Sequence, residues 1–163
     1  MKKASFHCSF LLLILANISY AANASLYRNL SYDLLRDFAP VTQFATGPYI
    51  VTIHPSVPAK ALGDLVRLIR AKPDAVIYSS GGSGTATFLA AELFKAQAGV
   101  SMMHVPYKAG AEALAALISG EVAVHFAPLA TALPQIRQGR LRGLAVTSVQ
   151  RLSLAPEYPT VSE

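Results

Sequence analysis

The chain has 163 residues, of which 53% are apolar and only 14% charged, and its net charge is +5. This composition excludes a disordered chain, because disordered segments are polar and charge-rich, and the length suits about one domain. The basic residues stand singly, which argues against nucleic-acid binding, since that requires a concentrated basic face. Cys8 is the single cysteine, so an internal disulfide and a cysteine-based metal site are excluded, and the four histidines lack metal-ligand spacing. We therefore expect neither a metal nor a cofactor.

The N-terminus supports two interpretations. Lys2 and Lys3 precede an apolar run, Phe10–Ile18, and the small residues of Ala22–Ala24 follow it. This order is typical of a secretory signal peptide, and the run is shorter than the roughly 20 residues that cross a bilayer. A continuous apolar run of this length is equally typical of a buried parallel strand, here at Leu11–Ile18.

Further along, strand-like and helix-like segments alternate. Leu26–Leu35 is predicted to be a loop with a short turn, and Phe38–Thr46 and Tyr49–His54 are predicted strands. The later predicted elements are strands at 76–80, 101–105, 122–126 and 141–147, and helices at 61–71, 85–98, 111–118 and 129–138. This alternation predicts an α/β fold, with a parallel or mostly parallel sheet and helices on its faces.

A glycine-rich segment, Gly81–Thr85, joins a predicted strand to a predicted helix. Such a junction lies at the carboxyl end of a strand, where α/β sheets bind ligands. The first N–H groups of a helix have no partner within it and lie at the positive end of its dipole, so they can hold an anion. Ser83 and Thr85 add hydroxyl groups. Either hydroxyl can instead cap the helix, in which case the segment is only a tight turn.

Other chemistries fit this loop less well. It lacks the lysine of a P-loop and the glycine spacing of a dinucleotide-binding fingerprint. Thr85 stands where a Gly-x-Ser-x-Gly nucleophile elbow centred on Ser83 requires glycine, so a small hydrolase is the weaker hypothesis and we expect no enzyme. His104 and His125 lie on predicted strands, and we expect both to make structural hydrogen bonds.

Five segments share a pattern with one known family. They are Asp37–Val41 (DFAPV), Tyr78–Phe94 (YSSGGSGTATFLAAELF), His104–Lys108 (HVPYK), Leu133–Thr147 and Pro159–Glu163 (PTVSE). In this order, over about residues 12–163, they resemble the substrate receptors of tripartite tricarboxylate transporters, the Bug family.

The resemblance implies a type II periplasmic binding protein whose small carboxylate ligand lies in a cleft between two lobes, with membrane transporter subunits as partners. It implies a signal-like N-terminus and first-lobe remnant at 1–47, a complete second ligand-binding α/β lobe at 48–150, and a truncated crossover to the first lobe at 151–163. It also favours a strand at Leu12–Ser19. A periplasmic location follows if the N-terminus acts as a signal peptide. The ligand-binding residues that it implies are Ser19, Tyr20, Ser80, Gly82, Ser83, Gly84, Thr85, Ala86, Thr87 and Phe126.

The sequence also departs from the family pattern. The Pro- and Gly-rich loop that usually opens the first lobe is absent, and the chain stops where the family crosses back to that lobe. Ala127 replaces a polar residue, often Asp, and Phe88 stands where His is common. The sequence therefore leaves the ligand's identity open, and a truncated remnant without binding activity is the alternative hypothesis.

Overall fold

The computed structural model describes residues 16–163. In this part of the chain five helices and five strands follow one another: α1 (Ile18–Leu26), β1 (Tyr49–Ile53), α2 (Leu62–Ala71), β2 (Ile77–Ser80), α3 (Ala86–Ala98), β3 (Met103–Pro106), α4 (Gly110–Ser119), β4 (Val124–Pro128), α5 (Leu129–Arg137) and β5 (Arg142–Val146). From Tyr49 onward every predicted helix and strand is present, with ends that differ from the prediction by one or two residues.

The five strands form one mixed sheet in the order β3-β2-β4-β1-β5. β2 pairs in parallel with β3 and β4, whereas β1 is antiparallel to both β4 and β5. Four strands therefore point in the same direction and β1 alone runs against them. The predicted mostly parallel α/β sheet is confirmed. The reversed direction of β1 was not foreseen, because residue periodicity carries no information on strand direction.

Apolar side chains cover both faces of the sheet. Along β1, Val51 and Ile53 face a cluster that includes α2 and α3, whereas Ile50 faces a second cluster with α5. This alternation follows from the period of two in a strand. All three side chains are fully buried, and each contributes about 1.5–3 kcal/mol relative to an exposed position.

The spacing of apolar residues in α2 has the predicted effect. Leu65 and Ile69 are buried, and Leu62 and Val66 pack against the same cluster. Positions at i, i+3, i+4 and i+7 share one face of a helix, so α2 lies with this face on the sheet.

Two predictions for the N-terminal part are wrong where the structure describes it. The predicted strand Phe38–Thr46 is irregular and exposed: Val41 is 80% and Phe44 84% accessible. Residues with strand propensity form a strand only when a neighbouring strand and a buried face stabilise it, and neither is present in the described chain. The predicted strand Leu12–Ser19 lies outside the described residues up to position 15. Its last two residues, Ile18 and Ser19, belong to the first turn of α1 instead. Asn17 caps this helix, because its side chain accepts a hydrogen bond from the Ser19 N–H (2.9 Å).

The C-terminal segment covers the outer edge of β5. The Val146 N–H donates to the Pro159 carbonyl, and the Val161 N–H donates to the Val146 carbonyl, both at 2.9 Å. A single parallel bridge thus joins Val146 and Thr160. The segment continues the sheet by a few residues.

His125 lies on β4 and is completely buried. Its Nδ1 donates to the Ser79 carbonyl (2.9 Å) and lies 3.1 Å from the Ser79 hydroxyl, which donates to the Ala113 carbonyl of α4. These are the structural bonds expected from the sequence. The buried Nε2 has no hydrogen-bond partner among residues 16–163. Burial lowers the pKa of His125, although the Ser79 carbonyl opposes this, so the folded protein holds the ring neutral.

We expect acid to destabilise the fold through His125. The unfolded chain binds a proton at this ring below about pH 6.5, whereas the folded chain does not until its lowered pKa is reached. Stability contributed by the neutral ring is therefore complete above about pH 6.5 and falls with pH by at most about 1.4 kcal/mol per unit. His125→Asn, which retains a donor for Ser79, should be less stable at pH 7.5 but lose stability less steeply between pH 6.5 and 5. Urea unfolding followed by circular dichroism measures how the free energy of unfolding changes with pH in each protein. An equal change in both proteins would contradict the role assigned to the neutral His125 ring.

Candidate ligand-binding site at the glycine loop

Residues 81–85, called here the glycine loop, connect the carboxyl end of β2 to α3. Gly82 has φ of +107° and Gly84 has φ of +81°, a backbone region that L side chains rarely adopt. A Cβ atom on Gly81 would lie 3.0 Å from the Gly110 N atom, so this residue also lets the loop approach the start of α4. The glycines therefore place the loop in a tight turn against a second helix N-terminus.

Hydroxyl groups on both sides of the glycine loop fix its shape. The Gly82 carbonyl accepts hydrogen bonds from the N–H (3.2 Å) and the hydroxyl (2.6 Å) of Thr85. The Gly82 N–H donates to the Ser80 hydroxyl, and the Gly81 N–H donates to the Thr87 hydroxyl, each at 3.1 Å. Three of the predicted ligand-binding hydroxyl groups are thus engaged within the protein. The Thr85 hydroxyl also accepts from the Phe88 N–H (3.4 Å), so the capping interpretation is correct for Thr85.

Four backbone donors of the glycine loop and of the first turn of α3 have no hydrogen-bond partner in the described chain. Within residues 16–163, the N–H groups of Ser83, Gly84, Ala86 and Thr87 donate to no protein acceptor. They lie at the N-terminus of the 13-residue helix α3, where the helix dipole adds positive potential. Ser83 is exposed and Ala86 is half-buried, whereas Gly84 and Thr87 are buried. Donors of this kind stabilise a carboxylate without requiring a cationic side chain.

The last turn of α1 lies on the glycine loop. A Cβ atom built on Gly84 would lie 2.8 Å from Leu26 Cδ1 and 3.9 Å from Asn23 Oδ1. Of the two predicted site residues in α1, Ser19 lies in the first turn, and Tyr20 lines a separate pocket of about 520 Å³. Its other lining residues all belong to residues 21–35, so the pocket has no wall from the glycine loop. The structure thus joins α1 to the loop through Asn23 and Leu26, which the sequence did not single out.

Phe126 occupies a different position from the one predicted. Its ring is 1% exposed and packs in the core against Phe94, with the ring centroids 5.5 Å apart. The ring therefore supports β4 from within the core and does not form a ligand-contacting wall. Phe126 lies on a buried strand among apolar side chains, so packing in the core explains its position and contact with a ligand is not needed.

A network of polar and aromatic side chains lies beside the loop. The Tyr78 hydroxyl and the Lys95 ammonium group both donate to Glu92 Oε1, at 2.5 and 2.8 Å. The His104 ring stacks on Tyr78 with the centroids 4.8 Å apart, and its Nε2 lies 2.7 Å from the Ser80 hydroxyl. Sequence reasoning missed this network because its members come from three elements and share no local spacing.

The Glu92 carboxylate and the Lys95 ammonium group of this network neutralise each other. Burial raises the pKa of Glu92, but the hydrogen bonds from Lys95 and Tyr78 outweigh burial and lower it below its usual value. Burial lowers the pKa of His104, and the nearby Glu92 carboxylate partly offsets that effect. Lys95 thus neutralises a partly buried carboxylate and is not a free cation.

In the described chain, neither a cluster of metal ligands nor a hydrogen bond between Ser83 and a histidine is present. No group of three or more His, Cys, Asp or Glu side chains among residues 16–163 is arranged to hold a metal ion. The His104 ring is bonded to Ser80 and not to Ser83. In the same part of the chain, no helix combines the length and the apolar character that crossing a membrane requires.

Comparison with known proteins identifies the family. The model of the tripartite tricarboxylate transporter family receptor matches residues 9–163. The chain belongs to this family. One relative, protein BugT of Bordetella pertussis, is 30% identical over 94% of the chain and 47% of its own length. The chain spans about half the length of the curated relatives it matches.

Solved structures of similar proteins confirm the fold. R. palustris Rpa4515 with adipate is 33% identical, with a TM-score of 0.78 over 83% of this chain and 46% of its own. A periplasmic transporter is 32% identical, with a TM-score of 0.83 over 90% of this chain and 50% of the other. The fold is therefore that of a periplasmic binding protein, of which this chain contains one lobe.

Thr85 provides a test of how the loop is held. Thr85→Val retains the side-chain shape but removes the cap of α3 and the bond to the Gly82 carbonyl, so we expect a loss of about 1–2 kcal/mol in the free energy of unfolding. Thr131→Val is the matched control. The exposed Thr131 hydroxyl also donates to a carbonyl at a helix start, that of Pro128 directly before α5, and its loss should cost at most about 0.5 kcal/mol. Denaturant unfolding gives both values, and equal losses would contradict the role assigned to Thr85.

Proposed function

We propose that this chain is the carboxylate-binding part of an extracytoplasmic solute receptor that serves a tripartite tricarboxylate transporter. The observation that carries the proposal is the set of unpartnered N–H groups on the glycine loop and the first turn of α3, above all those of the exposed Ser83 and the half-buried Ala86. The adipate in the R. palustris relative supports a small carboxylate as the ligand.

The chemistry of the loop favours a carboxylate over a cation or a neutral sugar. Oriented N–H groups and the positive end of a helix dipole stabilise negative charge, and hydrogen bonds to an ionised acceptor are about twice as strong as neutral ones. Lys95 is paired with Glu92, so the described loop attracts its ligand through backbone dipoles more than through a free cation. We propose Ser80, Thr85 and Thr87 as residues that shape the loop, and Ser83 as a hydroxyl that contacts the ligand.

The proposed division into lobes follows from where the sheet lies. All five strands fall within residues 49–146, which supports residues 48–150 as the second ligand-binding lobe. In this proposal, α1 belongs to the first-lobe part, at 1–47, and residues 151–163 belong to the crossover. The contact between Leu26 and Gly84 supports α1 as part of the opposite wall of the cleft.

Receptor function, and not catalysis, is the consistent interpretation of the site. The hydrolase hypothesis needs a base beside Ser83, and His104, next to the glycine loop, is hydrogen-bonded to Ser80 instead. A binding protein requires only the donors that the loop already presents. Membrane subunits of the transporter are the proposed partners, and the periplasm is the proposed location.

Ligand titration of the folded chain tests the proposal. We expect heat of binding from adipate, malate or citrate, and none from adipamide, which has the shape of adipate without its charge. Gly82→Ala places a side chain at φ +107° and should weaken carboxylate binding by at least about tenfold, or about 1.4 kcal/mol.

Gly139→Ala is the matched control, because Gly139 also has positive φ (+72°) but lies in open space after α5. The Gly139→Ala variant should lose about as much unfolding free energy as Gly82→Ala but keep the carboxylate affinity of the unmodified protein. If no carboxylate binds to the folded protein, the alternative of a remnant without binding activity is favoured. Equal weakening by both variants would show that the glycine loop is not the site.

The N-terminal residue of the protein in a periplasmic extract tests the proposed location. Mass spectrometry should find the chain in that fraction, and a start at Ser25 would show cleavage after Ala22–Ala24. Such cleavage would remove Ile18–Ala24 from α1, including Ser19 and Tyr20, from the mature protein. Recovery of the chain solely in the cytoplasmic fraction, with Met1 intact, would refute a periplasmic receptor.

A further inference from the structure

His104 is held in a fixed orientation next to the glycine loop. It lies on β3, where it pairs with Tyr78 of β2. Its ring stacks on Tyr78 at an interplanar angle of 20° and also contacts the Phe88 ring of α3, with centroids 4.9 Å apart. These contacts direct Nε2 at the Ser80 hydroxyl, 2.7 Å away.

The Ser80 hydroxyl is buried and has a single proton, which it can donate to only one of two nearby acceptors at a time. Its oxygen accepts from the Gly82 N–H (3.1 Å) and lies 3.3 Å from the Gly82 carbonyl and 2.7 Å from His104 Nε2. When Nε2 carries no proton, the Ser80 O–H donates to it. When Nε2 is protonated, the ring donates to Ser80, and the single O–H proton turns toward the Gly82 carbonyl.

We propose that His104 is a positioning residue for ligand binding, which sets the Gly82 peptide of the glycine loop through the Ser80 hydroxyl. The Gly82 carbonyl also accepts both bonds from Thr85, so a change at this peptide reaches the start of α3, where the free N–H groups lie. The inference rests on the proposed function, because it assumes that these N–H groups hold the carboxylate.

The charges around His104 give this relay a defined dependence on pH. Three groups face the ring: the Glu92 carboxylate and the Lys95 ammonium group of α3, and the Tyr78 hydroxyl of β2. Lys95 and Tyr78 both donate hydrogen bonds to Glu92. Burial lowers the pKa of His104 from its ordinary value, with Glu92 opposing, so the ring is neutral at pH 7. The relay takes the neutral ring as its Nδ1–H tautomer, in which the proton gained below about pH 6.5 goes to Nε2. A carboxylate on the loop adds negative charge nearby and should raise the pKa of His104, so by linkage acid should tighten carboxylate binding.

Nuclear magnetic resonance on the full chain, labelled with ¹⁵N and ¹³C, tests the relay between pH 8 and 5 without a ligand. We expect the Gly82 amide signal and the His104 ring signal to titrate with the same midpoint. In Ser80→Ala the His104 ring should still titrate, whereas the Gly82 amide should no longer follow it. Ser56→Ala is the matched control, because Ser56 is likewise bonded to a histidine, His54 (2.7 Å), and should leave the coupling intact.

A binding experiment with adipate adds a readout that a purely structural role would not change. The dissociation constant should fall by about fivefold or more from pH 8 to 5.5 in the unmodified protein, and by less in Ser80→Ala, where the direct attraction between the protonated ring and the carboxylate remains but the relay through Ser80 is lost. Ligand protonation is the same for both proteins and cancels in the comparison. Should Ser80→Ala fail to fold, His104→Gln replaces it, and the Gly82 titration should then disappear.

Two results would overturn the proposal. One is a Gly82 amide that does not follow His104 in the unmodified protein, and the other is an amide that follows it equally in Ser80→Ala. A failure of adipate and other carboxylates to bind at every pH would instead reject the proposed function, and the ligand-free titration would still decide the relay.

Discussion

The rest of the structure depends on strand β4, which is paired along both edges and buried on both faces. β2 lies on one side of it and β1 on the other. Val124 and Phe126 point into the cluster with α3, whereas His125 and Ala127 point to the opposite face. Because β4 fixes β2 in parallel, the carboxyl end of β2 and the start of α3 meet at a defined edge of the sheet. The glycine loop owes its position to this pairing.

The sequence was sufficient for the elements whose pattern is local. The spacing of Leu62, Leu65, Val66 and Ile69 specifies α2 because each turn of the helix repeats the same burial. The segment 38–46 does not form the predicted strand, since its strand-forming residues have no strand to pair with in the described chain. The Ile18–Leu26 helix was also missed, because the apolar run reaches it only at Ile18 and α1 has no buried face whose spacing would mark a helix.

The candidate site likewise has one part that the local sequence predicts and another that depends on the folded structure. Backbone donors at a strand–glycine–helix junction are predictable because the local sequence determines where a helix begins. The direction of each hydroxyl is not, since Ser80, Thr85 and Thr87 turn toward partners that only the folded loop provides. His104 and Ser80 are 24 residues apart and meet only because β3 pairs with β2. Such contacts require the sheet order, which no spacing in the chain encodes.

The bridge between Val146 and Thr160 has a consequence for how copies of the chain meet. An unpaired strand edge is a template on which another molecule can extend the sheet. The C-terminal segment occupies that position along β5, so in the described chain the outer side of β3 is the remaining edge. β3 has only four residues, and the last is Pro106, which lacks an N–H group. Edge-to-edge growth of the sheet would therefore form few hydrogen bonds, so the described sheet is protected against polymerising through its strands.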